Sequence, residues 1–237
     1  DLSRQEVQEY LIESMSDVFT RSKASYVKWD MNRHMSDYYS QALPKEQQGE
    51  FAHRYILGLY HVLDVLTKRF PNILFEACAS GGNRFDLGML CFMPQVWASD
   101  CTDAISRGII QNGYSYGYPM STVTAHVSAC PNHQTLRMTP LHTRFHVAAF
   151  GVCGYECNLC DMKKEEVEEI KQQITLYKQW REVLQFGTFY RGRSDNLYEW
   201  TCVSKDQSKA IGMIVQKLVE PNTHFEQYFA KGLNPDK

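Results

Sequence analysis

A pattern that recurs three times in the first hundred residues restricts this chain more than anything else in it. Each time, a stretch with helical spacing leads into a short aromatic or β-branched run that stops at a polar residue. Tyr26-Val27-Lys28-Trp29-Asp30 ends on a carboxylate. Ile73-Leu74-Phe75-Glu76-Ala77-Cys78 runs into Ser80-Gly81-Gly82, and Gln95-Val96-Trp97-Ala98 stops at Ser99-Asp100. The first helix is expected from Ser3 to about Arg21, with Ser3 and Glu6 at capping-box spacing and Val7, Leu11, Met15, Val18 and Phe19 on one face. The second runs from about Glu46 to Arg69 on Phe51, Tyr55, Leu59, Val62 and Leu66, and Pro71 ends it. Strands covered on both faces need crossover helices, so the alternation predicts a parallel α/β fold.

Apolar residues return from Leu87 to Met93, and a helix is expected over Asp103 to Gln111. Tyr114 to Pro119 reads as a fourth strand, while His142 to Tyr155 fits helix or strand equally. Glu165 to Leu184 is the clearest helix, carrying Val167, Ile170, Ile174, Tyr177, Trp180 and Leu184. The texture then changes. Glu199–Val203 and Ala210–Val215 look like a hairpin-like meander around the polar stretch Ser204–Lys209, so a small all-β module is expected from Gly187 to the end.

Composition removes several classes of function. Twenty-five Lys and Arg balance 27 Asp and Glu, and a net charge of -2 gives no field to gather phosphates, so nucleic acid is not expected as a partner. No apolar run approaches the ~20 residues of a membrane helix, and Asp1-Leu2-Ser3-Arg4 is no basic and apolar leader, so no membrane role is expected. The absence of an initiator Met is read as a chain that begins inside a longer polypeptide. Eight cysteines in 237 residues are too dilute for a disulfide scaffold and sit mostly in apolar surroundings, which suits a reducing, cytoplasmic location.

In parallel α/β folds ligands lie beyond the carboxyl ends of the strands, where Asp30, Cys78 and Asp100 all fall. Two carboxylates on such a rim suit metal binding, proton abstraction or glycosidic cleavage, and residue types alone do not choose between them. Lys28, two before Asp30, shares its face of the strand and keeps it ionised, while Trp29 faces the other way. Asn32 offers a donor and an acceptor to sugar hydroxyls. Trp97 would form an apolar wall near Asp100, favouring a protonated acid. Glu76 and Asp103 read as structural carboxylates, and His126, His133, His142 and His146 as structural histidines whose spacing matches no compact zinc signature.

The strings themselves are specific. Tyr26-Val27-Lys28-Trp29-Asp30-Met31-Asn32-Arg33 resembles the nucleophile motif of the α-galactosidases of glycoside hydrolase family 36. Phe75 to Gly82 and Trp97 to Asp103 resemble that family's next two strand ends, and the similarity continues through Ala125-His126-Val127-Ser128 and Thr143-Arg144-Phe145-His146 into the β-rich tail. The resemblance implies the C-terminal half of a (β/α)8 TIM barrel, about strands 4 to 8, over residues 1–186, followed by the start of an antiparallel β-sandwich over 187–237. It implies Asp30 as nucleophile and Asp100 as acid/base of a retaining hydrolysis of terminal α-D-galactosyl residues. Lys28, Trp29, Met31, Asn32, Cys78, Gly81 and Trp97 would line the sugar site, with no metal or organic cofactor. Cys101 departs from the acid or amide usual at that position. A complete barrel needs ~250 residues, so the front half is missing; the implied partners are an α-galactoside, the N-terminal part of the same polypeptide and further copies of the full-length protein.

Two other readings stand beside this one. An incomplete site would leave a noncatalytic half-barrel module. The C-x3-C-x2-C spacing of Cys153, Cys157 and Cys160 is that of an iron-sulfur cluster in a radical enzyme.

Overall fold

The computed structural model describes residues 1–32, 36–193, 196–219, 221–222 and 227–236, so Arg33 of the first motif lies outside the described residues. The chain divides into two compact units, Asp1–Val96 and Trp97–Lys237.

The first unit opens with α1 (Gln5–Ser22), which turns at Lys23 in the left-handed region (φ 52°) into β1 (Tyr26–Asp30). The expected Ser3 cap does not form. Ser3 Oγ donates to the Asp1 carboxylate at 2.7 Å instead, and the helix starts after Arg4 without a side-chain cap. The other half of the box is diverted as well: Ser3 N donates to Asp1 Oδ1 at 2.9 Å, and the Glu6 carboxylate that would have taken it accepts from Arg4 Nε at 2.7 Å. α2 (Phe51–Arg69) packs on α1, and Gly58 makes the approach possible, since a Cβ there would lie 1.8 Å from the Leu2 carbonyl oxygen. Phe19 meets Phe70 and Phe75 edge-on at 5.5 and 5.7 Å, and Arg69 donates to Ser16 Oγ at 2.7 Å. β2 (Leu74–Cys78) runs parallel to β1, with Lys28 opposite Glu76 and Asp30 opposite Cys78. The apolar stretch from Leu87 forms a single-turn helix, α3 (Leu87–Leu90), capped by Asp86. β3 (Gln95–Trp97) pairs parallel to β2 and straddles the division between the units.

The second unit starts its first helix, α4 (Ala104–Tyr114), at Asp103, whose Oδ2 accepts from Ser106 N and Oγ. The fourth strand predicted over Tyr114–Pro119 is absent. Ser115 N donates to Gln111 O and Tyr118 N to Tyr114 O, so helical and turn bonds consume the donors a ladder would need. The strand is β4 (Val123–Ser128). The ambiguous stretch contains both elements, α5 (Leu141–Ala149) and β5 (Val152–Glu156), divided at Gly151, where a Cβ would press 2.6 Å from Val123 O. β5 runs parallel to β4, with Thr124 opposite Val152 and Ser128 opposite Glu156.

α6 (Lys164–Phe186) then leads through Gly187 into an antiparallel sheet of β6 (Thr188–Arg193), β7 (Leu197–Val203) and β8 (Ala210–Gln216). β6 was not predicted, because Arg191-Gly192-Arg193 conceals its alternation. Phe150, Val183, Leu184, Trp200, Cys202, Met213 and Val215 form one buried cluster, and Trp200 Nε1 satisfies itself on Asn112 Oδ1 at 3.2 Å. Parallel strands linked by helices, then an antiparallel sheet, make up the α/β class the sequence led us to expect. Among the described residues no helix is long and apolar enough to cross a membrane.

Candidate active site

At the end of β1 the chain builds a small polar constellation around Asp30. The Asn32 amide donates to Asp30 Oδ2 at 3.0 Å, and Ser80 N donates to Asn32 Oδ1 at 2.6 Å, which fixes the amide with its N–H side toward the carboxylate. That second bond depends on the turn after β2. Ser80 (φ 48°) and Gly81 (φ 81°) are both left-handed, a conformation glycine adopts without steric cost, and Ala79 N donates across the turn to Gly81 O at 2.9 Å. Met31 N donates to Cys78 O at 2.9 Å, extending the pairing one step beyond Asp30.

Cys78, opposite Asp30 in the register, is buried. Burial pushes its thiol up to about 11; the Gly81 backbone bond opposes this, the hydrogen bond to the Asp30 carboxylate adds to it, and the Lys28 charge opposes it. The Cys78 thiol is therefore a donor toward Asp30 at neutral pH, not a nucleophile. Asp30, Lys28, Asn32, Cys78 and Gly81 come together here, with Met31 at the rim. Trp29 points to the opposite face of β1 by strand alternation. Beneath, the Tyr26 hydroxyl and the Gln95 amide both donate to Glu76, and Gln95 also reaches Tyr26 Oη at 2.7 Å, so Glu76 does structural work as expected.

In the second unit the loop after β3 presents Asp100 to solvent. Trp97 is buried and does more than form a wall: its indole N–H donates to Asp100 Oδ1 at 3.0 Å. The loop is tied from below. Thr102 N donates to Gln134 Oε1 at 3.2 Å, Asn132 Nδ2 donates to Thr102 Oγ1 at 2.9 Å, and Ser128 Oγ donates to Thr102 O at 3.1 Å. Cys101 N turns back on Ser99 Oγ at 3.1 Å. Asp103 caps α4 and pairs with Arg137 at 3.2 Å, a structural carboxylate as read from the sequence.

Sequence reasoning missed the residues around Trp97. The Arg107 guanidinium lies 4.2 Å over its ring, and the His126 ring is 4.7 Å away. His126 was in view only as a structural histidine, and Arg107 sits in mid-helix with no motif around it; a charged residue on the buried face of α4 was the available signal. The three cysteines of the iron-sulfur reading do not converge on a site. Burial pushes Cys153 up to about 12 and also raises Cys157, Cys160 is exposed, and among the described residues no group of three or more His, Cys, Asp or Glu is placed to hold a metal ion.

Residues 1–187 match the family model for Melibiase, and residues 197–237 match the model for the glycosyl hydrolase family 36 C-terminal domain. Alpha-galactosidase AgaA of Geobacillus stearothermophilus is 50% identical over 100% of this chain and 33% of its own length. Alpha-galactosidase 1 of Pediococcus pentosaceus is 47% identical over 99% of this chain and 32% of its own. The chain thus spans about a third of the length of these relatives. The crystal structure of the G. stearothermophilus enzyme superposes on all of it with a TM-score of 0.97, and a substituted variant of that enzyme in complex with raffinose superposes with a TM-score of 0.98 at 49% identity, each over 33% of the larger chain.

Proposed function

As a member of the melibiase family, glycoside hydrolase family 36, this chain is one for which we propose a specific part in catalysis: it supplies both catalytic carboxylates of a retaining α-galactosidase. The observation that carries the reading is the setting of Asp30 at the end of β1, gripped by Asn32 and Cys78 so that its carboxylate is oriented before any sugar arrives.

In the first step an Asp30 oxygen attacks C1 of the galactosyl ring as the C1–oxygen bond to the leaving group breaks, and Asp100 gives its proton to that departing oxygen. In the second, a water oxygen attacks C1 as the ester bond to Asp30 breaks, and the water proton passes to Asp100. Two displacements retain the anomeric configuration, which requires the carboxyl groups to stand roughly 5–5.5 Å apart. Lys28, Asn32, Cys78 and Gly81 grip the sugar, with Trp29 and Met31 packing around the strand end and Trp97 beside the acid.

Further support comes from the raffinose and stachyose complexes of the G. stearothermophilus enzyme. Each carries a variant lacking one aspartate, and those two aspartates stand as far apart in that enzyme's numbering as Asp30 and Asp100 stand here. Galacto-oligosaccharides of that kind are the proposed substrates. We further propose that the chain works as part of a longer cytoplasmic polypeptide that assembles with copies of itself, whose upstream part completes the barrel, and that the barrel gives way to the β-domain at Gly187. The inner side of β1, with Tyr26, Lys28 and Asp30 exposed, is the surface that upstream part would cover.

An aryl α-galactoside assay tests the proposal on the isolated chain, the full-length polypeptide and its Asp30→Ala variant. Negligible turnover is expected from the chain alone, full activity from the long form, and loss of that activity with Asp30→Ala. Turnover unaffected by Asp30→Ala would defeat it.

A further inference from the structure

The catalytic reading leaves a buried cation unaccounted for. Arg107 is only 2% exposed, and none of its three guanidinium nitrogens has a hydrogen-bond partner among the described residues. Such a group is costly unless something else stabilises the charge. The guanidinium instead stacks on the Trp97 ring, whose centroid is 4.2 Å from its carbon, a cation–π geometry. Burial lowers its pKa to about 10, against the pull of Cys101, Tyr114, Asp100 and Glu156, so it stays charged at neutral pH.

The same indole also meets His126, whose ring centroid is 4.7 Å away at 36°. His126 is anchored in turn: its Nδ1 lies 3.2 Å from Glu156 Oε2. Its ring can lie across β5 only because residue 154 is glycine, where a Cβ would fall 2.7 Å from His126 Cδ2 and 2.9 Å from Nε2. Arg107 and His126, from α4 and β4, therefore converge on one side chain, and that side chain donates its only N–H to Asp100 Oδ1 at 3.0 Å.

We propose that Arg107 and His126 are positioning residues for the general acid: they hold the Trp97 indole so that its N–H engages one oxygen of Asp100 and leaves the other to carry the proton to the leaving group. A carboxyl whose two oxygens could exchange roles would spend part of its time with the proton turned away from the glycosidic oxygen. The inference rests on the reading of Asp100 as acid/base.

The test exploits the leaving group. A dinitrophenolate departs with little need of a proton, whereas the sugar leaving raffinose needs one, so loss of acid function lowers kcat/KM for raffinose selectively. In the full-length polypeptide, kcat/KM for raffinose and for 2,4-dinitrophenyl α-galactoside would be compared in Arg107→Met, Gly154→Ala and Asp100→Asn, with thermal melts recorded. Asp100→Asn is expected to lose about 100-fold or more on raffinose and far less on the aryl substrate, the size of a general-acid contribution. Arg107→Met and Gly154→Ala should each lose roughly 10-fold on raffinose and less than about 2-fold on the aryl substrate, a fraction of that same contribution. Gly154→Ala acts by displacing His126 alone, and so keeps the test decisive if Arg107→Met does not fold. If Asp100→Asn discriminates between the substrates while folded Arg107→Met and Gly154→Ala lose equally on both or on neither, the positioning role is overturned. If Asp100→Asn itself fails to discriminate, the acid assignment falls and the positioning role with it.

Discussion

Asn32 is held at both ends, donating to Asp30 Oδ2 and accepting from Ser80 N, and so carries the orientation of the β2 turn to the carboxylate on β1. Hydrogen bonds to charged groups contribute about 1.5–3 kcal/mol, so Asn32→Ala is expected to lower kcat/KM of the full-length polypeptide by roughly 10- to 100-fold, measured with an aryl α-galactoside. An unchanged kcat/KM would mean that Asp30 is oriented by other groups. At this scale the sequence was informative about Asp30, Cys78 and Asn32, because strand ends and side-chain alternation put them on one rim. It was not informative about contacts between residues far apart in the chain. Trp97 was legible as an apolar wall, but its N–H bond to Asp100 and its contact with His126 depend on loop and register geometry that no local pattern encodes. The same holds for the ties from Ser128, Asn132 and Gln134 to Thr102, which span about thirty residues.

Elements with one strong period were legible to within a few residues: α1, α2 and α6, and the strands β1, β2, β7 and β8. Elements went astray where aromatic or glycine residues gave mixed signals. Tyr114 to Pro119 has strand-like alternation, yet its amides close turns, and β6 hides behind Arg191-Gly192-Arg193. The joint between α6 and β6 is tight. A Cβ on Gly187 would sit 2.4 Å from Val183 O and 2.5 Å from Val203 O, both backbone atoms that cannot swing aside. Gly187→Ala is expected to destabilise by about 1–3 kcal/mol, a fall of roughly 3–10 °C in melting temperature for a chain of this size. Calorimetry checks this, and an unshifted melt would show that the joint relaxes freely.

For the molecule as a whole, buried thiols contribute to a loss of stability on the alkaline side. Burial holds Cys78 up to about 11 and both Cys153 and Cys202 up to about 12, above the ~8.5 of a thiol in an unfolded chain. The fold therefore keeps protons that the unfolded chain releases. The stabilisation is complete below about pH 8.5 and declines as pH rises toward the folded values. Denaturation midpoints should fall between pH 8 and pH 10.5, and Cys202→Ala should make that fall shallower; equal slopes in both proteins would contradict the assignment. The family and the α/β class were readable from three strand-end motifs in order. Attack of Asp30 on the anomeric carbon can be trapped with a fluorinated α-galactosyl substrate that slows the second displacement, followed by peptide mass spectrometry of the full-length polypeptide. One fluorogalactosyl ester is expected, on the Tyr26–Asn32 segment at Asp30; a label on any other residue, or turnover with no covalent adduct at all, would rule Asp30 out as the nucleophile.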